Sequence, residues 1–261
     1  MELVLSIFSG IDLLGKGFEQ NGFCVVSAMD IIYGHDIREK RFPTGRFDGV
    51  IGGSPCQDFS KARRTPPTGN GLEMLGEFVR VVNEVKPTWW LLENVPQVPN
   101  IAIDGYHVQR FDLNAKECGS TQNRNRHFQF GSLDGRVLSV KRDPPAVNVA
   151  RCVTASEGNQ KDRRTWGEFC ELQGLPKDFD LPSFTQTAKY QAVGNGVNLH
   201  VANRVASAIR ESARSNEGRP ITETKFCVCG CGRILTGRQK SANMACRKRV
   251  QKQNERKTKL V

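Results

Sequence analysis

Five groups of residues in this chain are of types that carry chemistry. Cys56 follows Pro55 just beyond the strand-like run "FDGVIGG", so its thiol is a candidate nucleophile at a strand tip. Glu93-Asn94 closes the apolar run Trp89-Trp90-Leu91-Leu92. A carboxylate beside so much apolar surface is costly unless partnered, which points to proton chemistry; a turn cap before Pro96 is the plain alternative. Gln122, Arg124 and Arg126 alternate in "QNRNR". On one strand they would share a face suited to an anion or a polar base edge, or simply a solvated face. A glycine turn at Gly10 precedes an acid, Asp30, by twenty residues. That is the broad logic of a nucleoside-cofactor site, although Gly10, Gly15 and Gly17 do not make G-x-G-x-x-G and any α/β protein can hold such a turn. Finally, Cys227, Cys229, Cys231 and Cys246 crowd the tail as C-x-C-x-C-x14-C, a donor set for Zn2+ or else four reduced thiols.

These groups need elements to hold them. "LVLSIF" (3–8), "FCVVSAMD", "FDGVIGG", "TWWLLENVP", "YHVQRFDL" and "RHFQFGSL" read as strands. Residues 72–86 read as a helix with Leu72, Leu75, Phe78, Val79 and Val82 on one face. Strands alternating with helices predict a parallel α/β sheet, whose ligands sit beyond the carboxyl ends of the strands. Trp166, Phe169 and Leu172 in "RTWGEFCELQGLPKDF" are expected in a core. His107, His127 and His200 are expected to be structural, and His35 lies beside Asp36 near the cofactor.

The chain has 261 residues and a net charge of +11. From Lys225 onward there are eleven Lys and Arg against one acid, Glu255, so the excess belongs to the tail. Such a tail fits a polyanion, most simply nucleic acid; a disordered solubilising tail is the alternative. The start "MELVLSIFSG" lacks a basic n-region, and no apolar run is long enough to span a bilayer. A cytoplasmic protein with reduced thiols and no membrane partner is therefore expected, with Cys24, Cys152 and Cys170 as small buried apolar residues.

Taken in order, "FSGIDLLGKGFEQNGF", Asp30-Ile31, "HDI", "GGSPCQDFS", "ENVP", "QNRNR" and "AKYQAVGNGVNLHVANRVASAI" resemble the successive motifs of the cytosine-C5 DNA methyltransferases. The resemblance spans about residues 3–210. It implies a Rossmann-like class I fold with a small second lobe, and S-adenosylmethionine as methyl donor with S-adenosylhomocysteine as product. The implied cofactor residues are Phe8, Ser9, Gly10, Ile11 and Asp12; Asp30 for the ribose and Ile31 against adenine; Asp36 and Ile37; Ser54, Pro55 and Leu72; and Asn195, Gly196 and Val197. The implied catalytic residues are Pro55 and Cys56, Glu93 and Asn94, Arg124 and Arg126. The partner would be double-stranded DNA with its target base flipped out, bound by a monomer. Lys61, Arg63 and Arg64 after Cys56, and Arg247, Lys248 and Arg249 in the tail, would lie near phosphates.

Two departures stand out. Where the family's first loop has a glycine pair, this chain has Asp12-Leu13. The region in which the family places its target recognition domain holds only about twenty residues, Gly131 to Ala150. The expected organisation is a catalytic domain at 1–130, a reduced recognition region at 131–163, the rest of the second lobe at 164–210, a linker at 211–224 and a Cys-rich basic tail at 225–261, which could form a zinc finger. Two other readings stay open: the same chemistry on tRNA, and an inactive module that binds S-adenosylmethionine and DNA. A compact enzyme of this kind would suit a restriction-modification system or a phage protecting its genome.

Overall fold

A computed structural model describes residues 1–60, 63, 65–144, 148–216, 244, 246–248 and 251. The chain runs β1 (Leu3–Ile7), α1 (Leu13–Gln20), β2 (Cys24–Met29), β3 (Gly49–Gly53), α2 (Asn70–Val85), β4 (Trp89–Asn94), β5 (His107–Asn114), β6 (Gln122–Asn123), β7 (Asn125–Ser132), β8 (Ala150–Arg151), α3 (Trp166–Leu172), α4 (Gln186–Asn195) and α5 (Leu199–Asn216). Six strands form one sheet in the order β2-β1-β3-β4-β7-β5, and β6 pairs with β8. The four strands from β2 to β4 are parallel, but β7 is antiparallel to both β4 and β5. The wholly parallel sheet expected from the sequence is corrected to this mixed one, an α/β Rossmann-like arrangement. β1 has β2 on one side and β3 on the other, so the strand order reverses there and opens a crevice at the carboxyl ends.

The apolar run of β4 follows from covering both faces of the sheet. Trp89 and Leu91 pack with α1 and with Val201, Val205 and Ile209 of α5, whereas Trp90 and Leu92 pack with Met74, Phe78 and Val82 of α2. Alternate residues point to opposite faces, so a strand covered on both sides has no polar position to spare. Burying each such side chain is worth about 1.5–3 kcal/mol.

The helix expected at 72–86 is α2, but its buried face is Met74, Leu75, Phe78, Val81, Val82 and Val85. Leu72 is 59% exposed, a correction to its placement on that face. At 3.6 residues per turn it lies roughly 120° round the helix from Phe78, beyond the covered stripe.

A third cluster joins Leu13 of α1 to Val153, Phe169, Leu175, Tyr190, Val193 and Leu199, with Trp166 and Leu172 against it. The second lobe therefore shares a core with the first. Cys170 and Cys118 are buried, but Cys24 and Cys152 are only half-buried, so those two are not the core residues expected. α5 continues to Asn216, so the first six residues of the segment expected as a linker are helical.

Between β7 and β8 the chain turns at Gly135 (φ +70°) and runs beside β5. The Gln109 amide donates to Leu138 O (3.0 Å) and accepts from Leu138 N (2.7 Å), and Arg142 donates to Asp112 O. Leu138 is buried in the first cluster.

Candidate active site

The chain leaves β1 through a loop with three left-handed residues, Phe8 (φ 51°), Gly10 (φ 57°) and Asp12 (φ 55°). Only glycine adopts that conformation freely, and Asp is one of the few residues that tolerate it. Asp12 Oδ1 accepts from Ser6 Oγ (2.8 Å) and from Gly15 N (3.0 Å), capping α1. The unusual Asp12 thus takes a backbone conformation suited to glycine, and its carboxylate serves the helix rather than the crevice. Gly15 and Gly17 serve packing. A Cβ on Gly15 would strike the Asp12 carboxylate, and one on Gly17 would lie 2.5 Å from Ala202 Cβ on α5.

Asp30, just after β2, accepts from Gly10 N (2.7 Å) and Ile32 N (3.0 Å), which fixes the first loop against the second. Ile31 is 70% exposed. Asp36 is gripped by Arg38, through Nε (2.9 and 3.0 Å) and the backbone N (3.0 Å). The side-chain bond to Arg38, then the backbone one, holds its carboxyl down to about 2.

Beyond β3 come Ser54, Pro55 and Cys56. Asn94 Nδ2 donates to Ser54 O (2.9 Å) and Oγ (3.0 Å), while its Oδ1 accepts from Val95 N (2.8 Å). This amide locks the ends of β3 and β4 together. Cys56 is half-buried. Burial, and then the neighbouring Glu93 charge, push its thiol above the usual range, while Arg126 and Arg124 pull it down. Glu93 is buried, and burial raises its carboxyl against the pull of Arg126 and then Arg124. Arg126 Nε stands 3.1 Å from Glu93 Oε1. A Cβ on Gly53 would lie 3.0 Å from Glu93 Oε2, so the last residue of β3 leaves room for that carboxylate.

Most of these groups open on one cleft of about 420 Å³, in the size range of small-molecule sites. Its wall includes Phe8, Ser9, Gly10 and Ile11; Asp30, Ile31, Asp36 and Ile37; and Ser54, Pro55 and Cys56. Glu93, Asn94, Arg124 and Arg126 line it, as do Asn195, Gly196 and Val197. Asp12 and Leu72 are not part of this wall. His35, Arg38, Gln57, Asn70, Met74 and Gln191 also line it. Apart from His35, none of these stands out in the sequence.

A family model for C-5 cytosine-specific DNA methylases matches residues 32–156, the stretch that holds Cys56, Glu93 and Arg126. Over those residues the chain resembles this family. Among curated relatives, the Type II methyltransferase M.HindV of Haemophilus influenzae is 29% identical over 78% of this chain and 95% of its own length. M.XorII of Xanthomonas oryzae pv. oryzae is 27% identical over 69% of this chain, and the aligned part is 51% of that protein. Among solved structures, the S. pombe Dnmt2 methyltransferase superposes with a TM-score of 0.62 at 16% identity, over 82% of this chain and 100% of that one. The Entamoeba histolytica methyltransferase EhMeth gives 0.63 at 12% identity, over 82% and 99%.

One family motif behaves differently from its sequence reading. Gln122, Arg124 and Arg126 do not share a strand face, because β6 ends at Asn123 and β7 begins at Asn125. Arg124 is buried and donates to Val153 O (3.1 Å), Gly194 O (2.9 Å) and Gly196 O (2.9 Å). Burial, and then Arg126, pull it down to about 10, which leaves it cationic at neutral pH. Gln122 donates to Leu172 O and Gln173 Oε1, and Gln173 donates to Val193 O and Gly196 O. Arg124 and these two amides stitch the segment from Val153 to Gly196 to the sheet behind the cleft. Gln173 is a structural link that sequence reasoning misses, although a glutamine between buried Cys170 and Leu175 is a legible signal.

Of the residues expected near phosphates, Arg63 is exposed and donates to Asp58 O (3.1 Å), and Arg247 and Lys248 are exposed and helical. Lys61, Arg64 and Arg249 lie outside the described residues, as do Cys227, Cys229 and Cys231. Cys246 is buried, and no group of His, Cys, Asp or Glu fit to hold a metal occurs among the described residues. No helix among them is long and apolar enough to cross a membrane.

Proposed function

We propose that this chain is a DNA (cytosine-5-)-methyltransferase that acts on a flipped-out cytosine through a covalent Cys56 adduct. The observation that carries the reading is the convergence of Cys56, Glu93 and Arg126 on the cleft that also takes the Phe8–Gly10 loop and Asp30.

The residues present fit S-adenosylmethionine. A Cβ on Gly10 would meet nothing within 4 Å, so the backbone there stands open for close approach. Asp30 offers a carboxylate to ribose hydroxyls, and exposed Ile31 an apolar face to adenine. When bound, this cofactor supplies an electrophilic methyl group and leaves as S-adenosylhomocysteine.

Cytosine C5 is a poor nucleophile. Cys56 as thiolate forms a bond from Sγ to C6, and the electron pair of the C5=C6 bond becomes available at C5. Glu93, whose carboxyl burial raises, takes up a proton as the base binds and donates it at N3, which spares the ring a full negative charge. Arg126 holds Glu93 and, with it, the base. Once C5 carries the methyl group, its proton passes to water, the C5–H electron pair re-forms the double bond, N3 returns its proton to Glu93 and Cys56 departs as thiolate. The base is unreachable in a duplex, so the reading includes base flipping. A monomer in the cytoplasm, with basic residues after Cys56 and in the tail on DNA phosphates, completes it. The tail thiols would hold zinc on the strength of their spacing alone.

The test is to incubate the purified chain with S-adenosylmethionine and unmethylated genomic DNA, with tRNA in parallel, and to map 5-methylcytosine at base resolution. Methylated DNA is expected. Methyl transfer to tRNA alone would replace this reading with RNA methylation, and transfer to neither would end it.

A further inference from the structure

Two residues beyond Cys56, a side chain outside the cleft wall does more than its position predicts. Asp58 Oδ2 accepts from Gly71 N (2.8 Å), and its Oδ1 accepts from Thr68 N (2.9 Å) and Thr68 Oγ1 (3.2 Å). Gly71 lies in the first turn of α2, whose own cap residue, Gly69, provides no side-chain acceptor. The helix start is therefore capped from outside, by a residue thirteen positions earlier in the chain.

The contact is tight as well as polar. A Cβ on Gly71 would lie 2.9 Å from the Phe59 ring and 3.0 Å from Asp58 Cβ. Phe59 packs against the cluster that holds Met74 and Phe78. Cys56 O in turn accepts from Phe59 N and Ser60 N, both at 3.0 Å. The nucleophile thus begins a single turn whose middle is pinned to α2 by one carboxylate and one ring, and α2 is packed on the sheet that carries Glu93.

We infer that Asp58 is a positioning residue for Cys56, fixing through α2 where the thiol stands relative to Glu93 and Arg126. This inference rests on the proposed methyltransferase reading. The backbone N–H of Gly71, then that of Thr68, hold the Asp58 carboxyl below its usual range, so it remains an acceptor at working pH. Misplacing a nucleophile by about 1 Å is enough to cost roughly 100-fold in rate.

The experiment compares wild type, Asp58→Ala, Asp58→Asn and Thr68→Val. The readouts are the rate of irreversible adduct formation with a duplex carrying 5-fluorocytosine plus S-adenosylmethionine, the dissociation constant of that cofactor, and Tm. The C5 fluorine cannot leave as a proton, so the Cys56–C6 bond persists. Asp58→Ala is expected to slow adduct formation at least about tenfold with cofactor affinity within about twofold. Asp58→Asn, which keeps one acceptor, should fall between it and wild type, and Thr68→Val, which spares the Gly71 bond, within about threefold of wild type. An adduct rate equal to wild type in Asp58→Ala, or a loss matched by lost cofactor binding, overturns the inference. Should Asp58→Ala fail to fold, Asp58→Asn decides by the same criteria. A wild-type protein that forms no adduct instead overturns the functional reading, a result visible before any variant is made.

Discussion

Arg126 Nε stands 3.1 Å from Glu93 Oε1 across the antiparallel pairing of β7 and β4. The pair flanks Cys56 with one charge of each sign, and the two act on the thiol in opposite directions. Glu93→Gln removes a charge that raises the thiol, so the pH at half-maximal iodoacetamide alkylation of Cys56 should fall. Arg126→Gln removes a charge that lowers it, and that midpoint should rise. In wild type the rate should still be climbing above the ordinary thiol range, since burial is the first cause of the shift. Movement of both midpoints in the same direction would show that the pair does not set the thiol.

Cys56→Ser keeps a hydroxyl in place of the thiol but lacks its nucleophilicity. Methyl transfer should drop by roughly a thousandfold or more, with cofactor affinity within about twofold, as measured by radiolabelled methyl incorporation and calorimetry. Retained transfer would rule out the covalent route.

Arg124→Met should behave as a structural lesion. It removes a donor from Gly194 O, and leaves Gly196 O with Gln173 and Val153 O with only the weak Cys152 thiol. At about 1–3 kcal/mol for an unsatisfied buried group, a loss of about that size is expected in urea unfolding. Cofactor affinity should fall too, because Gly194 and Gly196 line the cleft. Unchanged stability with lost activity would instead make Arg124 a residue that contacts the base.

Gly17→Ala brings a Cβ to 2.5 Å from Ala202 Cβ. Forcing α1 away from α5 should cost about 1–3 kcal/mol, read as a lower Tm, with the methyl-transfer rate preserved well below the transition. A Tm equal to wild type would show that the two helices are not held at that spacing.

Removing the chain from Glu223 onward takes away eleven Lys and Arg. The dependence of DNA affinity on salt should become shallower by about 0.9 for each phosphate that the tail neutralises, while cofactor binding stays constant. Metal analysis of the intact chain checks the tail thiols in the same preparation; one zinc per chain, absent after truncation, is the expected content.

The legibility of this molecule tracks burial. The sheet strands read correctly because covering both faces leaves unbroken runs such as Trp89–Leu92, and Cys56, Glu93 and Asp30 stand out because they end such runs. Leu72 misleads because a helical period gives the spacing of a stripe but not its edges. Arg124 misleads because alternate spacing implies a shared face only if the strand is continuous, and here it breaks at that residue. Asp12 is hidden for a third reason: residue type does not announce a left-handed backbone unless the residue is glycine. Asp58 and Gln173 act through partners far along the chain, and such pairings exist only once the fold does.

The segment between β7 and β8 has one more consequence. β5 is an edge strand, and an uncovered edge invites another chain to pair with it. Leu138, held both ways by Gln109, and Arg142, on Asp112 O, lie along that edge. These contacts shield part of the β5 edge from pairing with another chain. Deleting Leu138 and Arg142 from that edge would threaten solubility before it touched the cleft.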